Sequence, residues 1–173
     1  CSRSARASSS HRDPCRGPMR LAAVLNVMSL VLLLFAASML VPLAFSLGFG
    51  DGVWRAYGEA MAVTLVAAAL LWGATHRAGR ELQVRDGFLL VALVWTVLPA
   101  FATLPLLLQL PALSFTDAYF ETVSGLTASG ATVLSGLDTL PPSLNIWRGF
   151  MIWLGGMGVI VLAVAILPLL GVG

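Results

Sequence analysis

Lysine is absent from this chain, and charge of either sign is scarce: ten arginines and eight carboxylates among 173 residues. A water-facing globular surface takes roughly 25% charged residues, so a soluble domain is excluded. Cysteine is confined to Cys1 and Cys15, so no disulfide framework can hold the body of the chain together. The histidines are His11 and His76, and the long charge-free windows hold no carboxylate. A membrane-embedded enzyme needs a nucleophile–base pair or a set of metal ligands in its core, and none is expected here. No Gly-rich phosphate loop following a strand is present, so neither an organic cofactor nor a nucleic-acid partner is expected.

What is abundant is apolar. Hydrophobic residues make up 58% of the chain, and the mean hydropathy is +0.92. Residues 21–50, 60–75, 87–116 and 149–173 carry no charge. A membrane-spanning helix takes about 20 mostly apolar residues. Four spans are therefore expected, over residues 21–47, 57–75, 87–109 and 145–169. The second window is short and borrows Tyr57 to Glu59 at one rim. Pro42 lies near the end of the first span, and Pro99 and Pro105 lie late in the third. Each proline removes a backbone donor, so the end of the third helix should be bent or loosened. A Gly-rich turn is expected over 48–55. Residues 1–18 read as a polar, Ser- and Arg-rich tail, or as sequence upstream of a true start at Met19.

Arginine placement orients the spans. Arg3, Arg6, Arg12, Arg16 and Arg20 precede the first span, and Arg77, Arg80 and Arg85 lie between the second and third. Only Arg55 and Arg148 fall on the opposite side. Positive charge is retained in the cytoplasm, so the amino terminus is expected there. Trp54, Trp72, Trp147 and Trp153 fall near the expected interfaces, as an aromatic belt would.

Residues 110–144 do not fit a simple span. Phe115 to Leu126 is a moderately apolar stretch carrying Asp117 and Glu121 at one turn's spacing. Twelve helical residues reach about 18 Å, short of the ~30 Å hydrocarbon core, so a short helix that dips in and returns is expected. Asp117 and Glu121 could add negative potential near an outer mouth, brace the loop, or stand as ordinary interfacial charges. After this helix comes Thr127-Ala-Ser-Gly-Ala-Thr-Val133, small and polar. On composition alone that is a loop. The alternative is an extended strand at membrane depth, where irregular backbone survives only if it is buried in protein or lines a watery cavity. Gly130, lacking Cβ, would permit carbonyls to be aimed inward.

Asp117-Ala-Tyr-Phe-Glu-Thr-Val-Ser-Gly-Leu-Thr-Ala-Ser-Gly-Ala-Thr-Val-Leu-Ser-Gly136 resembles the first pore loop of TrkH-type members of the Trk/Ktr/HKT superfamily of potassium transporters. Trp147-Arg-Gly-Phe-Met-Ile-Trp-Leu-Gly-Gly-Met-Gly-Val-Ile-Val-Leu-Ala-Val-Ala-Ile-Leu-Pro168 resembles the segment beyond that loop in the same family. Arg80-Glu-Leu-Gln-Val-Arg-Asp-Gly-Phe88 is similar to the start of the family's first repeat. The resemblance covers residues 20–173. It implies an all-α integral membrane fold: two leading transmembrane helices over 19–79, then, over 80–173, the first helix–re-entrant pore loop–helix repeat of a four-repeat transporter.

The resemblance also implies function. The chain would belong to the ion-conducting subunit of a Trk-type system that takes up potassium across the bacterial inner membrane. The family's filter usually reads Thr-Thr-Thr-Gly-Ala, and here Thr127-Ala-Ser-Gly-Ala131 stands in its place. Backbone carbonyls coordinate the ion in such filters, so Thr127, Ala128, Ser129 and Gly130 are the candidate potassium ligands despite the two replaced threonines. A homodimer and a cytoplasmic, nucleotide-binding, TrkA-like regulatory ring are the implied partners, with any nucleotide belonging to the ring. A non-conducting scaffold or truncated product lacking the remaining repeats is the alternative. Gly155, Gly156 and Gly158 would allow close helix packing or a hinge, and Arg148 is expected to snorkel to the interface.

Overall fold

The computed structural model describes residues 21–76 and 84–166, with side chains over 21–76 and 86–160. The tail at 1–18 with both cysteines, the arginines Arg77 and Arg80, and the end of the fourth expected span beyond Ile166 lie outside the described residues. Among those described, every regular element is helical: α1 (Leu21–Ser38), α2 (Leu40–Phe49), α3 (Trp54–Thr75), α4 (Val84–Ala102), α5 (Leu104–Gln109), α6 (Phe115–Leu126) and α7 (Pro142–Ile166), with a 3-10 turn at Leu137–Thr139.

The breaks fall at the prolines. α1 and α2 are one apolar run interrupted at Met39, with Pro42 three residues on, and α4 and α5 are one run interrupted at Thr103 between Pro99 and Pro105. A proline withholds the N–H that the carbonyl four residues back would accept, so each run bends where the ladder is thinned. Counted as continuous runs, Leu21–Phe49, Trp54–Thr75 and Asp86–Gln109 are long and apolar enough to cross a membrane. The expected turn over 48–55 is tighter than its glycine content suggested, because helix persists to Phe49 and resumes at Trp54.

α1 packs along α3 and also against α4, while α2 crosses onto α7 and α5 onto α3. Alanines let the backbones approach: Ala23, Ala36, Ala56, Ala60 and Ala68 are all buried, as expected where helices associate in lipid without a hydrophobic driving force between them. Asn26 of α1 donates from Nδ2 to the Thr75 carbonyl at 3.0 Å, closing the end of that helix pair with a polar tie. Large apolar side chains point outward, Leu34 at 63% and Leu70 at 70% exposure. An exterior of that kind suits lipid and would be an aggregation liability in water.

The core gathers where α1, α3 and α7 converge. Trp147 is fully buried, 5.8 Å from the Phe35 ring and 6.3 Å from Tyr57. It is therefore not part of an interfacial belt. Its indole N–H donates to the Ala102 carbonyl at 3.3 Å, beside the α4–α5 break, which satisfies the polar edge of an otherwise apolar ring. Trp54, Trp72 and Trp153 stay exposed, as a belt requires.

Candidate functional site

α6 is the short helix expected at Phe115 to Leu126, and it lies between α4 and α7. Its start is capped locally. Ser114 accepts from the Asp117 backbone N–H at 3.1 Å and donates to the Asp117 carboxylate at 2.7 Å. Asp117 is thereby engaged at its own helix start, where a carboxylate also meets the positive end of the helix dipole. One face of α6 hangs on the bend of α4: the Tyr119 hydroxyl donates to the Thr96 carbonyl and the Thr122 hydroxyl to that of Pro99, both at 3.0 Å.

The far end of α6 turns sharply. The Ala128 N–H donates to the Gly125 carbonyl at 2.9 Å and the Ser129 N–H to that of Ser124 at 3.0 Å. This is the paired-bond C-cap that glycine normally closes in the left-handed region. Here the left-handed residue is Ala128, at φ 55°, and Gly130 follows at φ 74°. The two together reverse the chain into the segment 127–133. Sequence reasoning anticipated the conformational need at Gly130 and missed it at Ala128. No sequence signal marked it, since glycine or asparagine rather than alanine ordinarily takes this position.

The carbonyl oxygens of Thr127, Ala128, Ser129 and Gly130 accept no hydrogen bond from any described residue, and all four residues are exposed. The next carbonyl is tied back: the Ser124 hydroxyl donates to that of Ala131 at 2.6 Å. Thr127 to Gly130 thus present consecutive unpartnered carbonyls immediately after the carboxyl end of α6. Among the described residues no group of three or more His, Cys, Asp or Glu gathers.

Glu121 behaves differently from Asp117. It is 3% exposed, and its carboxylate accepts from Arg148 Nε at 2.7 Å, from the Thr132 hydroxyl at 2.9 Å and from the Val133 N–H at 3.1 Å. Of the three readings open for this residue, bracing the loop is the one its contacts match. Arg148 is accordingly not a snorkelling side chain: it turns inward to an ion pair, because a buried carboxylate demands a partner. Of Gly155, Gly156 and Gly158, only Gly155 is closely packed: a Cβ there would overlap the Leu126 carbonyl, whereas a Cβ at Gly156 or Gly158 would meet nothing within 4 Å.

A second polar junction joins the leading helices to α7. Asp51, in the turn before α3, accepts from the Ser46 hydroxyl, the Val53 N–H at 3.2 Å and the Ser143 N–H at 3.0 Å. The Tyr57 hydroxyl donates to the Ser143 carbonyl at 2.9 Å. Burial pushes the Asp51 carboxyl upward, but hydrogen bonding from Ser143, Ser46 and Val53 outweighs it and leaves the group below its ordinary value of 3.8. Nothing in the sequence pattern marked this junction.

Residues 55–173 match the TrkH family, described as cation transport protein. The Trk system potassium uptake protein TrkH of Halomonas elongata is 49% identical over 156 residues, covering 90% of this chain and 32% of that protein. TrkH of Escherichia coli K12 is 44% identical with the same coverage. The crystal structure of the potassium transporter TrkH from Vibrio parahaemolyticus superposes with a TM-score of 0.83 at 45% identity, over 90% of this chain and 33% of that one. The chain thus spans about a third of the length of the curated relatives it matches.

Proposed function

Since the chain belongs to the TrkH family of cation transport proteins, we propose that it forms part of a potassium uptake protein and that its segment 127–130 supplies one portion of the ion filter. In this reading residues 19–79 are the leading helix pair, and residues 80–173 are the first helix–pore loop–helix repeat of a longer transporter. The relatives it matches are named as potassium uptake proteins. The observation that carries the reading is the run of four unpartnered carbonyls at Thr127, Ala128, Ser129 and Gly130. A bare carbonyl at membrane depth is costly unless something replaces the missing donor, and a dehydrated cation does so. Carbonyl oxygens substitute for the hydration shell of potassium more readily than for that of the smaller, more tightly hydrated sodium. The carboxyl end of α6 adds the partial negative charge of its dipole beside the same segment.

One repeat provides only part of a coordinating ring, so the activity belongs to the whole transporter. Its setting in this proposal is the bacterial inner membrane with the amino terminus cytoplasmic. It would act as a homodimer on a cytoplasmic nucleotide-binding ring. The test is growth of an uptake-deficient strain at limiting potassium, expressing the complete reading frame. Wild type should rescue, and G130V should not, while inserting at a normal level. Rescue by G130V equal to wild type would reject the filter assignment.

A further inference from the structure

We propose that Glu121 and Arg148 are positioning residues that set the ion preference of the filter without touching the ion. The inference rests on the filter reading above.

The Glu121 carboxylate joins three parts of the chain. It stands on α6, takes the Arg148 Nε–H of α7, and takes the Thr132 hydroxyl and Val133 N–H of the segment leaving the filter. Ser124, one turn further along α6, holds the same segment at Ala131 and lies 2.9 Å from the Ser129 hydroxyl. The segment is therefore anchored at 131–133 from behind, while the carbonyls of 127–130 are left free in front. Behind it the space is small. The cavity bounded by Glu121, Ser124, Gly130, Arg148 and Met151 is about 20 Å³, room for about one water. On the side toward α7 the segment stands against the ion pair.

A buried ion pair is a weak source of stability, since apolar side chains of like volume often do as well. What this one supplies is geometry. Val133 N–H and the Thr132 hydroxyl share one acceptor, and that acceptor is held by Arg148. Whether cavity size or carbonyl field strength governs selectivity, either depends on carbonyl spacing, and that spacing is set by where 131–133 is pinned.

The test uses the complete transporter in proteoliposomes, reading the ratio of potassium to sodium uptake together with protein level. E121Q and R148Q should lower the ratio about tenfold, the effect of a modest free-energy change between two ions. T132V, which removes one hydroxyl and keeps the volume, should lower it roughly threefold and carries the test should the charged-site variants fail to accumulate. The exchange E121R/R148E should not restore the ratio, because a guanidinium at 121 cannot accept from Val133. Variants that lose abundance but keep the wild-type ratio would make the pair merely structural and overturn the proposal, as would full restoration by the exchange. G130V separates the two levels: if it leaves potassium uptake intact, the filter reading falls and this proposal with it. If it abolishes uptake while E121Q and T132V keep the wild-type ratio, the positioning role alone falls.

Discussion

Gly155 of α7 lies directly against the main-chain carbonyl of Leu126, the last residue of α6, so closely that an added Cβ would overlap the carbonyl group. The end of α6, and hence the start of segment 127–133, is seated on a bare patch of helix backbone. G155A should therefore displace the C-cap and lower uptake by the complete transporter at least about tenfold, the effect of a 1.4 kcal/mol change. G156A and G158A face open space and should be neutral, or stabilising by up to ~1 kcal/mol through helix propensity. Comparing uptake and thermal stability of the three variants checks this. Equal behaviour would remove the close contact from consideration.

Ala128 holds a left-handed conformation, φ 55°, that costs a non-glycine residue roughly 1–2 kcal/mol. A128G should raise stability by up to about 1 kcal/mol, the part of that strain left after glycine's extra chain entropy, seen as a higher Tm in detergent. A128V should lower it, since a β-branched side chain tolerates this region worst. A drop in Tm for A128G would mean that chain entropy, not strain, dominates at the cap.

At Asp51 pH enters directly. Its carboxyl lies below the ordinary value of 3.8 in the fold, so the folded state binds its proton less readily than the unfolded chain. The group thus contributes stability at pH above 3.8, and that contribution is lost as pH falls through the lower folded value. D51N should destabilise at neutral pH by about 1 kcal/mol, the scale of a lost cap. The gap between wild type and D51N should close only in strong acid. Thermal melts of both proteins against pH read this directly, and a gap independent of pH would assign the loss to shape alone.

Tyr57 and Trp147 fasten the leading helices to α7. Y57F removes the hydroxyl that reaches the Ser143 carbonyl and should cost about 1 kcal/mol. W147A empties a fully buried site and should cost ~3–5 kcal/mol, with W147F falling between. Chemical or thermal unfolding of the solubilised transporter ranks them. Uptake should track abundance for all three, because none touches segment 127–133.

The apolar runs, the short helix at Phe115–Leu126 and the need for glycine at 130 were all legible from residue order. They depend on local quantities: run length, proline spacing, and the absence of a Cβ. Less legible were the partners of charged and aromatic side chains. Arg148 and Trp147 sit at the same kind of expected interface by sequence, yet Arg148 turns in to Glu121 and Trp147 is sealed between Phe35, Tyr57 and Phe150. The signal that could have found the ion pair is physical, since a charge at membrane depth seeks an opposite one. Even so, nothing along the chain says that residues 121 and 148 meet.

By itself the sequence determined the solvent this protein suits, the rough limits of its first three apolar runs, and the place where the chain must turn back on itself, because those depend on hydropathy and backbone freedom residue by residue. The tertiary structure alone decided which carboxylate caps a helix and which is buried, which of Gly155, Gly156 and Gly158 is closely packed, and that Asp51 ties the turn before α3 to α7. Each of those depends on distances between residues remote in the chain, and such distances exist only once the helices have packed.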